Sequence, residues 1–242
     1  MPQDLNAEQF TENLLTLQSP EELAKIQRYF KSGEGQYGEG DIFLGVRMGS
    51  LFELSKEFIQ MPIPEIEKLL DSPVHELRTG ALSIMNQQAR NNKLPENQRK
   101  NLFDLYLRRH DRINNWDLVD IAAIYVIGRY LSDKPRDVLY QLAVSDNMWE
   151  RRTAIVSTAY FLKHHDVEDT FAIAEILLDD KQDLIHKAAG GWLRQAGKSD
   201  RVRLLSFLDR YAATMPRTFL RYAIEHLTPD QRDYYLKMKN IV

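Results

Sequence analysis

The apolar residues of this chain recur at helical spacing nearly throughout, and that period leaves little room for anything but an all-α fold. Ser19-Pro20-Glu21-Glu22 reads as an N-cap with proline at the first helical position and Glu22 at capping-box distance. Leu23, Ile26, Gln27 and Phe30 then continue a mostly apolar stripe. Asp71-Ser72-Pro73, Ser132-Asp133-Lys134-Pro135, Thr214-Met215-Pro216 and Thr228-Pro229 open further helices in the same way. No segment shows a convincing strand alternation, and the β-branched pair Val126-Ile127 falls inside helical spacing. The predicted helices run to about 10–18 residues with brief connections.

Short helices joined by short loops suggest stacked pairs, and the sequence carries a matching recurrence. An acidic turn, a spacer, a basic residue and a run of small residues occur at Asp71 to Arg78-Thr79-Gly80-Ala81. The pattern returns at Asp146 to Arg152-Thr153-Ala154 and at Asp180 to Lys187-Ala188-Ala189. Arg152 and Lys187 are 35 apart, Arg78 and Arg152 are 74 apart, and Arg221 follows Lys187 by 34. A period in the mid-thirties with two helices per unit fits the HEAT/armadillo class. Each pair cannot bury its apolar face alone, so the expectation is one α-solenoid domain over residues 1–242, with a concave face and a basic stripe along it.

Composition narrows the function. With no cysteine, disulfides, cysteine nucleophiles and thiolate zinc sites are excluded. The histidines show no ligand spacing, so no metal or other cofactor is expected. No run reaches the ~20 apolar residues of a membrane helix, and the acidic start of the chain does not read as a leader; the lack of cysteine fits a cytoplasmic protein. Net charge is -3, unlike the basic footprint of many nucleic-acid binders. Yet residues 181–222 hold nine Lys and Arg against three Asp, a local excess of six. That asymmetry suits an anionic partner; a solvated helix face is the plain alternative. The glycine-dense stretch 31–41 follows a helix rather than a strand and carries two glutamates, so an inter-helix loop suits it better than a phosphate loop.

Three constellations could carry chemistry. In Asn115-Trp116-Asp117-Leu118-Val119-Asp120, Asn115 is a plausible N-cap, and Trp116 and Asp120 are four apart on one helix face. Asp117 points elsewhere and suits a first-turn acid favoured by the helix dipole. In Trp149-Glu150-Arg151-Arg152, the adjacent arginines face different ways, so one can be structural while the other binds a phosphate. In His186-Lys187-Ala188-Ala189-Gly190-Gly191-Trp192-Leu193-Arg194, two mid-helix glycines each cost roughly 1 kcal/mol relative to alanine, which asks for close packing or close approach of a ligand.

These segments, with Gly40-Asp41-Ile42-Phe43-Leu44-Gly45-Val46-Arg47 and Met215-Pro216-Arg217-Thr218, resemble in order and spacing the AlkD-type DNA alkylation repair family, from about residue 9 to 240. The resemblance implies HEAT-like repeats that cup duplex DNA and a monomer that removes alkylated, cationic purines by cleaving the N-glycosidic bond. It implies that Asp120 stabilises charge on the deoxyribose and positions water, that Trp116 contacts the backbone at the lesion, and that Arg152 holds a phosphate. Arg47, Trp149, Lys187, Trp192, Arg194 and Arg217 would contact DNA. The chemistry suits those residue types, because a cationic base leaves without a general acid and a fixed carboxylate steadies an oxocarbenium-like transition state. Most glycosylases turn the base out into a pocket; this family resembles an exception that leaves the lesion largely stacked, in keeping with the lack of a pocket motif.

The chain departs from that pattern at Gly190-Gly191-Trp192-Leu193-Arg194-Gln195. The family's second DNA-contacting tryptophan falls where Gly191 stands, and Trp192, one residue late, is rotated by about 100°. Two function classes follow: an alkylpurine DNA glycosylase, or a non-catalytic HEAT-like protein that binds DNA structures or a protein partner. Trp116, Asp120 and Arg152 favour the first; Gly191 and the net charge favour the second.

Overall fold

The computed structural model describes residues 5–30, 33 and 38–238. The chain divides into two compact units, Met1–Tyr130 and Leu131–Val242. Both are helical, and the described residues form no strand, only the isolated bridges Gln18–Val46 and Ile42–Val74. No described helix is long and apolar enough to cross a membrane. Most of the glycine-dense stretch 31–41 lies outside the described residues.

The first unit comprises α1 (Ala7–Leu15), α2 (Pro20–Tyr29), α3 (Met48–Glu57), α4 (Ile63–Leu70), α5 (His75–Arg90), α6 (Glu96–Arg108) and α7 (Trp116–Ala123). Ser19 accepts the Glu22 N–H and Asn115 the Trp116 N–H, the caps that the sequence announces. The Val126-Ile127 pair sits in a π-helical turn, Ile124–Gly128, that prolongs α7. Helix α5 is the post of this unit and packs on α3, α4 and α7. It buries polar as well as apolar residues, including His75, Glu76, Arg78 and Thr79. Gly80 is the point of closest approach: a Cβ there would lie 2.5 Å from the Phe10 ring.

The second unit comprises α8 (Asp137–Ala143), α9 (Met148–Ser157), α10 (Ala159–Leu162), α11 (Glu168–Ile176), α12 (Asp183–Ser199), α13 (Arg201–Tyr211), α14 (Arg217–Ala223) and α15 (Pro229–Lys237). Its post is α12, which packs on α9, α11, α13 and α14. Phe219 and Leu220 of α14 are fully buried, and burial of each such side chain contributes about 1.5–3 kcal/mol. Thr228 and Gln231 form the capping box that starts α15.

The recurrent basic residue has a structural task, and its register is one residue off the sequence reading. Arg78 Nη1 donates to the Ser72 carbonyl at 3.0 Å, Arg151 Nη1 to the Ser145 carbonyl at 2.8 Å, and His186 Nε2 to the Asp180 carbonyl at 2.6 Å. Each ties a helix back to the turn six residues before it. The aligned members are therefore Arg78, Arg151 and His186. Arg152 and Lys187 follow them in the chain, Arg152 on the Leu184 carbonyl and Lys187 paired with Asp183.

The glycine pair of α12 separates in the same way. A Cβ at Gly190 would come within 2.5 Å of the Phe219 carbonyl oxygen and 2.7 Å of Tyr222 Cβ, so close α12–α14 packing requires glycine there. A Cβ at Gly191 would meet nothing within 4 Å. Gly190→Ala should cost about 1–3 kcal/mol, because the obstructing atom is backbone. Gly191→Ala should raise stability by roughly 0.5–1 kcal/mol through helix propensity alone. Urea unfolding of the two variants gives opposite signs if this packing is right.

Candidate functional site

The segment between α2 and α3 is shaped by the first turn of α5. The Glu76 carboxylate accepts the backbone N–H groups of Leu44 at 3.0 Å, Gly45 at 2.9 Å and Val46 at 3.4 Å. On its other side the Gly45 carbonyl accepts the Ser19 N–H at 2.9 Å. Gly45 has φ +82°, and a Cβ would sit 2.5 Å from the Ser19 carbonyl oxygen, so only glycine fits. The pinned segment fixes Phe43 and leaves Arg47 exposed at the start of α3.

One residue before Glu76, His75 is 2% exposed and lies between two carboxylates. Its Nε2–H donates to Asp117 Oδ2 at 2.7 Å and its Nδ1–H to Asp41 Oδ2 at 3.2 Å. Asp41 also accepts Arg78 Nη2, and it takes Asn114 Nδ2 at 3.3 Å and Asn115 Nδ2 at 3.4 Å. The residue that caps α7 and the residue before it therefore both bind the carboxylate that holds the head of α5. Burial by itself would lower the imidazole pKa, but the hydrogen bonds and charges of Asp117 and Asp41 raise it to about 9. Burial would raise the Asp41 pKa, and the His75 hydrogen bond with the Arg78 charge overrides it, leaving the group at about 2.

Aromatic rings gather over this network. Trp116 stacks on Phe30 with centroids 5.7 Å apart and rings 15° from parallel, and Tyr29 meets Trp116 edge-on at 5.7 Å. Phe43 packs against Phe30 at 5.2 Å and against the His75 ring at 4.9 Å. Together they wall an open cleft of about 510 Å³, lined also by Ile26, Val46, Met48, Glu76 and Asp117, with Glu22, Lys25 and Arg47 among its charged residues. That volume lies within the range of small-molecule sites.

The residues expected from the sequence divide between the units. Trp116, Arg47 and Asp120 belong to the first, and Trp116 and Arg47 line the same cleft. Asp120 is half-buried one helical turn along α7 from Trp116, outside the lining, where Asp117 stands instead. Asp117 is the first-turn acid that the sequence suggests, and it has a partner that the dipole argument does not name. It is 5% exposed and hydrogen-bonded to His75, because the packing of α5 on α7 covers that side of the helix.

In the second unit, Arg152 is buried and donates Nη1 to the Leu184 carbonyl at 2.9 Å. Its neighbour Arg151 grips Asp180 at 2.6 Å, so both arginines hold groups within the unit. Trp149 is 7% exposed, so its indole offers little surface to DNA. Lys187 pairs with Asp183 at 2.7 Å and Arg194 with Glu225; Trp192 is half-buried; Arg217 is exposed, with Nη2 on the Leu236 carbonyl.

Sequence reasoning overlooked Tyr29, Phe30, Phe43, His75 and Glu76 as site residues. Only one signal was available: Phe30 and Phe43 flank the glycine-dense stretch, and a loop bracketed by aromatics is a place to look for a ring-binding wall.

Comparison with known proteins gives a consistent picture. A model of the DNA alkylation repair enzyme family matches residues 10–227. The solved structure of a predicted DNA alkylation repair enzyme from Enterococcus faecalis is similar to this one with a TM-score of 0.68 and 17% sequence identity, over 88% of this chain and 97% of that one. At that identity the likeness establishes a shared fold. No curated protein sequence matches.

The His75 network sets a pH dependence with a definite sign. A raised folded-state pKa means that the stability gained from protonated His75 is complete below about 6.5 and is lost as pH rises through about 9. The Asp41 contribution has the opposite sense, present above 3.8 and lost as pH falls through about 2. Thermal unfolding followed between pH 6 and 9.5 should therefore show a falling midpoint, and His75→Gln should flatten that slope. Equal slopes in the two proteins would mean that His75 is neutral in the fold.

Proposed function

The chain belongs to the DNA alkylation repair enzyme family, and on that premise we propose that it excises cationic alkylated purines from duplex DNA by hydrolysing the N-glycosidic bond. The observation that carries this reading is the placement of Trp116 and Asp120 one turn apart on α7, with Trp116 part of an aromatic wall and the start of the helix locked by His75 and Asp41. An aromatic face and a fixed carboxylate are the two groups that favour a sugar on its way to an oxocarbenium ion.

In the proposed reaction the bond between C1′ and the purine nitrogen breaks. Its electron pair neutralises the cationic base, so no acid is needed for departure. Asp120 steadies the positive charge that develops on the sugar and orients the water that attacks C1′, accepting its proton. Arg152 holds a phosphate close to the lesion, and Arg47, Lys187, Trp192, Arg194 and Arg217 supply the remaining grip on the duplex. Lys187 and Arg194 are in partly exposed ion pairs with Asp183 and Glu225. Pairs of that kind are worth about 0–1 kcal/mol and exchange readily for a phosphate.

A non-catalytic, DNA-binding reading is favoured by one observation: at Gly191, where the resemblance places a DNA-contacting tryptophan, the space is open and no side chain fills it. Incubation with a duplex carrying a single N7-methylguanine separates the two readings, since only the enzyme releases free base. In that assay Asp120→Asn should lower the rate by roughly 10²–10³, the usual cost of one lost electrostatic contact of this kind, with duplex affinity retained or raised. Release at the wild-type rate would remove Asp120 from the mechanism, and no release by the wild-type protein would leave the binding reading.

A further inference from the structure

The basic excess of residues 181–222 includes two cations that the proposed reaction leaves without a task, Lys198 and Arg201. They meet within the second unit, where the end of α12, the start of α13 and the end of α14 come together. Lys198 lies in the last turn of α12, Arg201 is the first residue of α13, and His226 stands in the turn after α14. With Arg194, one turn earlier on α12, these side chains line a recess of about 330 Å³. Its apolar lining, Leu204, Ala223 and Leu227, is buried.

The charges of the recess do not cancel. Arg194 is paired with Glu225. Lys198 and Arg201 are exposed, and neither has an ion-pair partner among the described residues. Arg201 gives Nη2 to Gln231 Oε1 at 2.6 Å, and Lys198 has no hydrogen-bond partner among those residues. No carboxylate belongs to the lining, and the neighbouring Asp200 caps α13 by accepting the Arg203 N–H at 2.9 Å. His226 is exposed beside them. Slight desolvation, and after it the charges of Arg194 and Lys198, lower its pKa from the ordinary histidine value. An imidazole crowded by cations is one that an incoming anion would favour in its protonated form.

Two uncompensated cations beside a titratable imidazole suit a compact dianion. A phosphodiester carries a single charge and leaves one cation unanswered, whereas a phosphomonoester carries close to two near neutral pH. The recess also lies at the lower end of the roughly 300–1,000 Å³ of small-ligand sites, so a small organic group on the phosphate has apolar surface to rest on. We infer that this recess binds a phosphomonoester dianion, with Lys198 and Arg201 supplying the charge and His226 a hydrogen bond. The inference is independent of the excision reading, because none of these three residues enters that reaction. Two sources share the chemistry: a small organic phosphate and the terminal phosphate of a nucleic-acid strand.

Sulfate and dimethyl phosphate, which differ by one charge, test the preference directly. Each is titrated at constant ionic strength, held with sodium chloride, while the His226 imidazole resonance is followed by nuclear magnetic resonance; His226→Gln identifies that resonance. Sulfate should shift it saturably and raise the His226 pKa by roughly half a unit or more. Dimethyl phosphate should bind roughly tenfold more weakly. Lys198→Ala and Arg201→Ala remove exposed side chains, so the fold should persist, and each should weaken sulfate roughly tenfold. Thermal unfolding of each variant verifies that it is folded.

The source is read with ribose 5-phosphate and with one short duplex prepared with 5′-phosphate or 5′-hydroxyl ends. Displacement of sulfate by ribose 5-phosphate, with the two duplexes bound alike, supports the site with a small phosphate as its ligand. Tighter binding of the phosphorylated duplex, by roughly threefold or more and abolished by Lys198→Ala, supports it with a strand end as its ligand. Equal binding of sulfate and dimethyl phosphate, or a sulfate response no larger than that of chloride, overturns the proposal. So does a failure of both ribose 5-phosphate and the phosphorylated duplex to displace sulfate.

Discussion

A protonated histidine held between two buried carboxylates is the interaction on which the first unit turns. His75 opens α5, Asp117 sits in the first turn of α7, and Asp41 precedes the segment that leads to α3. Charges taken out of water are costly unless each is paired: here Asp41 takes His75, Arg78 and two asparagines, His75 uses both ring nitrogens, and Asp117 is held through its Oδ2 by His75. Removal of one member leaves its partner charged in the interior. That is why three segments far apart in sequence hold one relative placement, and why Trp116 and Asp120, which ride on α7, are presented in a fixed orientation.

The head of α5 does more than bear this network. Within four residues it offers the His75 bridge, the Glu76 carboxylate that gathers the N–H groups of residues 44–46, and Arg78, which reaches both Asp41 and the Ser72 carbonyl. One helical turn therefore fixes the cleft wall on two sides, Phe43 through the loop and Trp116 through α7. Gly45 lets the loop pass close enough to Ser19 for the Glu76 contact to close. The apolar rings over the network keep water from it, which strengthens the electrostatics beneath, and the same rings form the wall of the cleft.

The second unit divides neighbouring residues between different tasks on its own post, α12. In α12, Gly190 is spent on contact with α14, while Gly191 and Trp192 are left toward space or partial exposure. Arg151 and His186 brace their helices against the preceding turns, while Arg152 binds the Leu184 carbonyl and Lys187 pairs with Asp183. In α9 and α12, therefore, two adjacent basic residues hold different partners: the first ties its helix to the preceding turn, and the second meets a group elsewhere in the unit or on its own helix.

The all-helical class, many helix starts and the mid-thirties recurrence were legible in the sequence, because they rest on relations between residues three or four apart and on capping chemistry at the chain's own turns. Ser19, Asn115 and Thr228 cap as their neighbours suggest. Trp116 and Asp120 could be placed on one helix face for the same reason. The register of the brace could not, since Arg151 and Arg152 are equivalent until a carbonyl is placed beside one of them. Nor could the role of Asp117, which a helix-dipole argument places in the first turn without naming a partner. Its partner His75 is 42 residues away, and His75 is in turn 34 residues from Asp41. Local periodicity determined where helices form; only the packing of α5 against α7 and the loop decided which carboxylates would be buried, because burial and pairing depend on distances between segments that a sequence period does not encode.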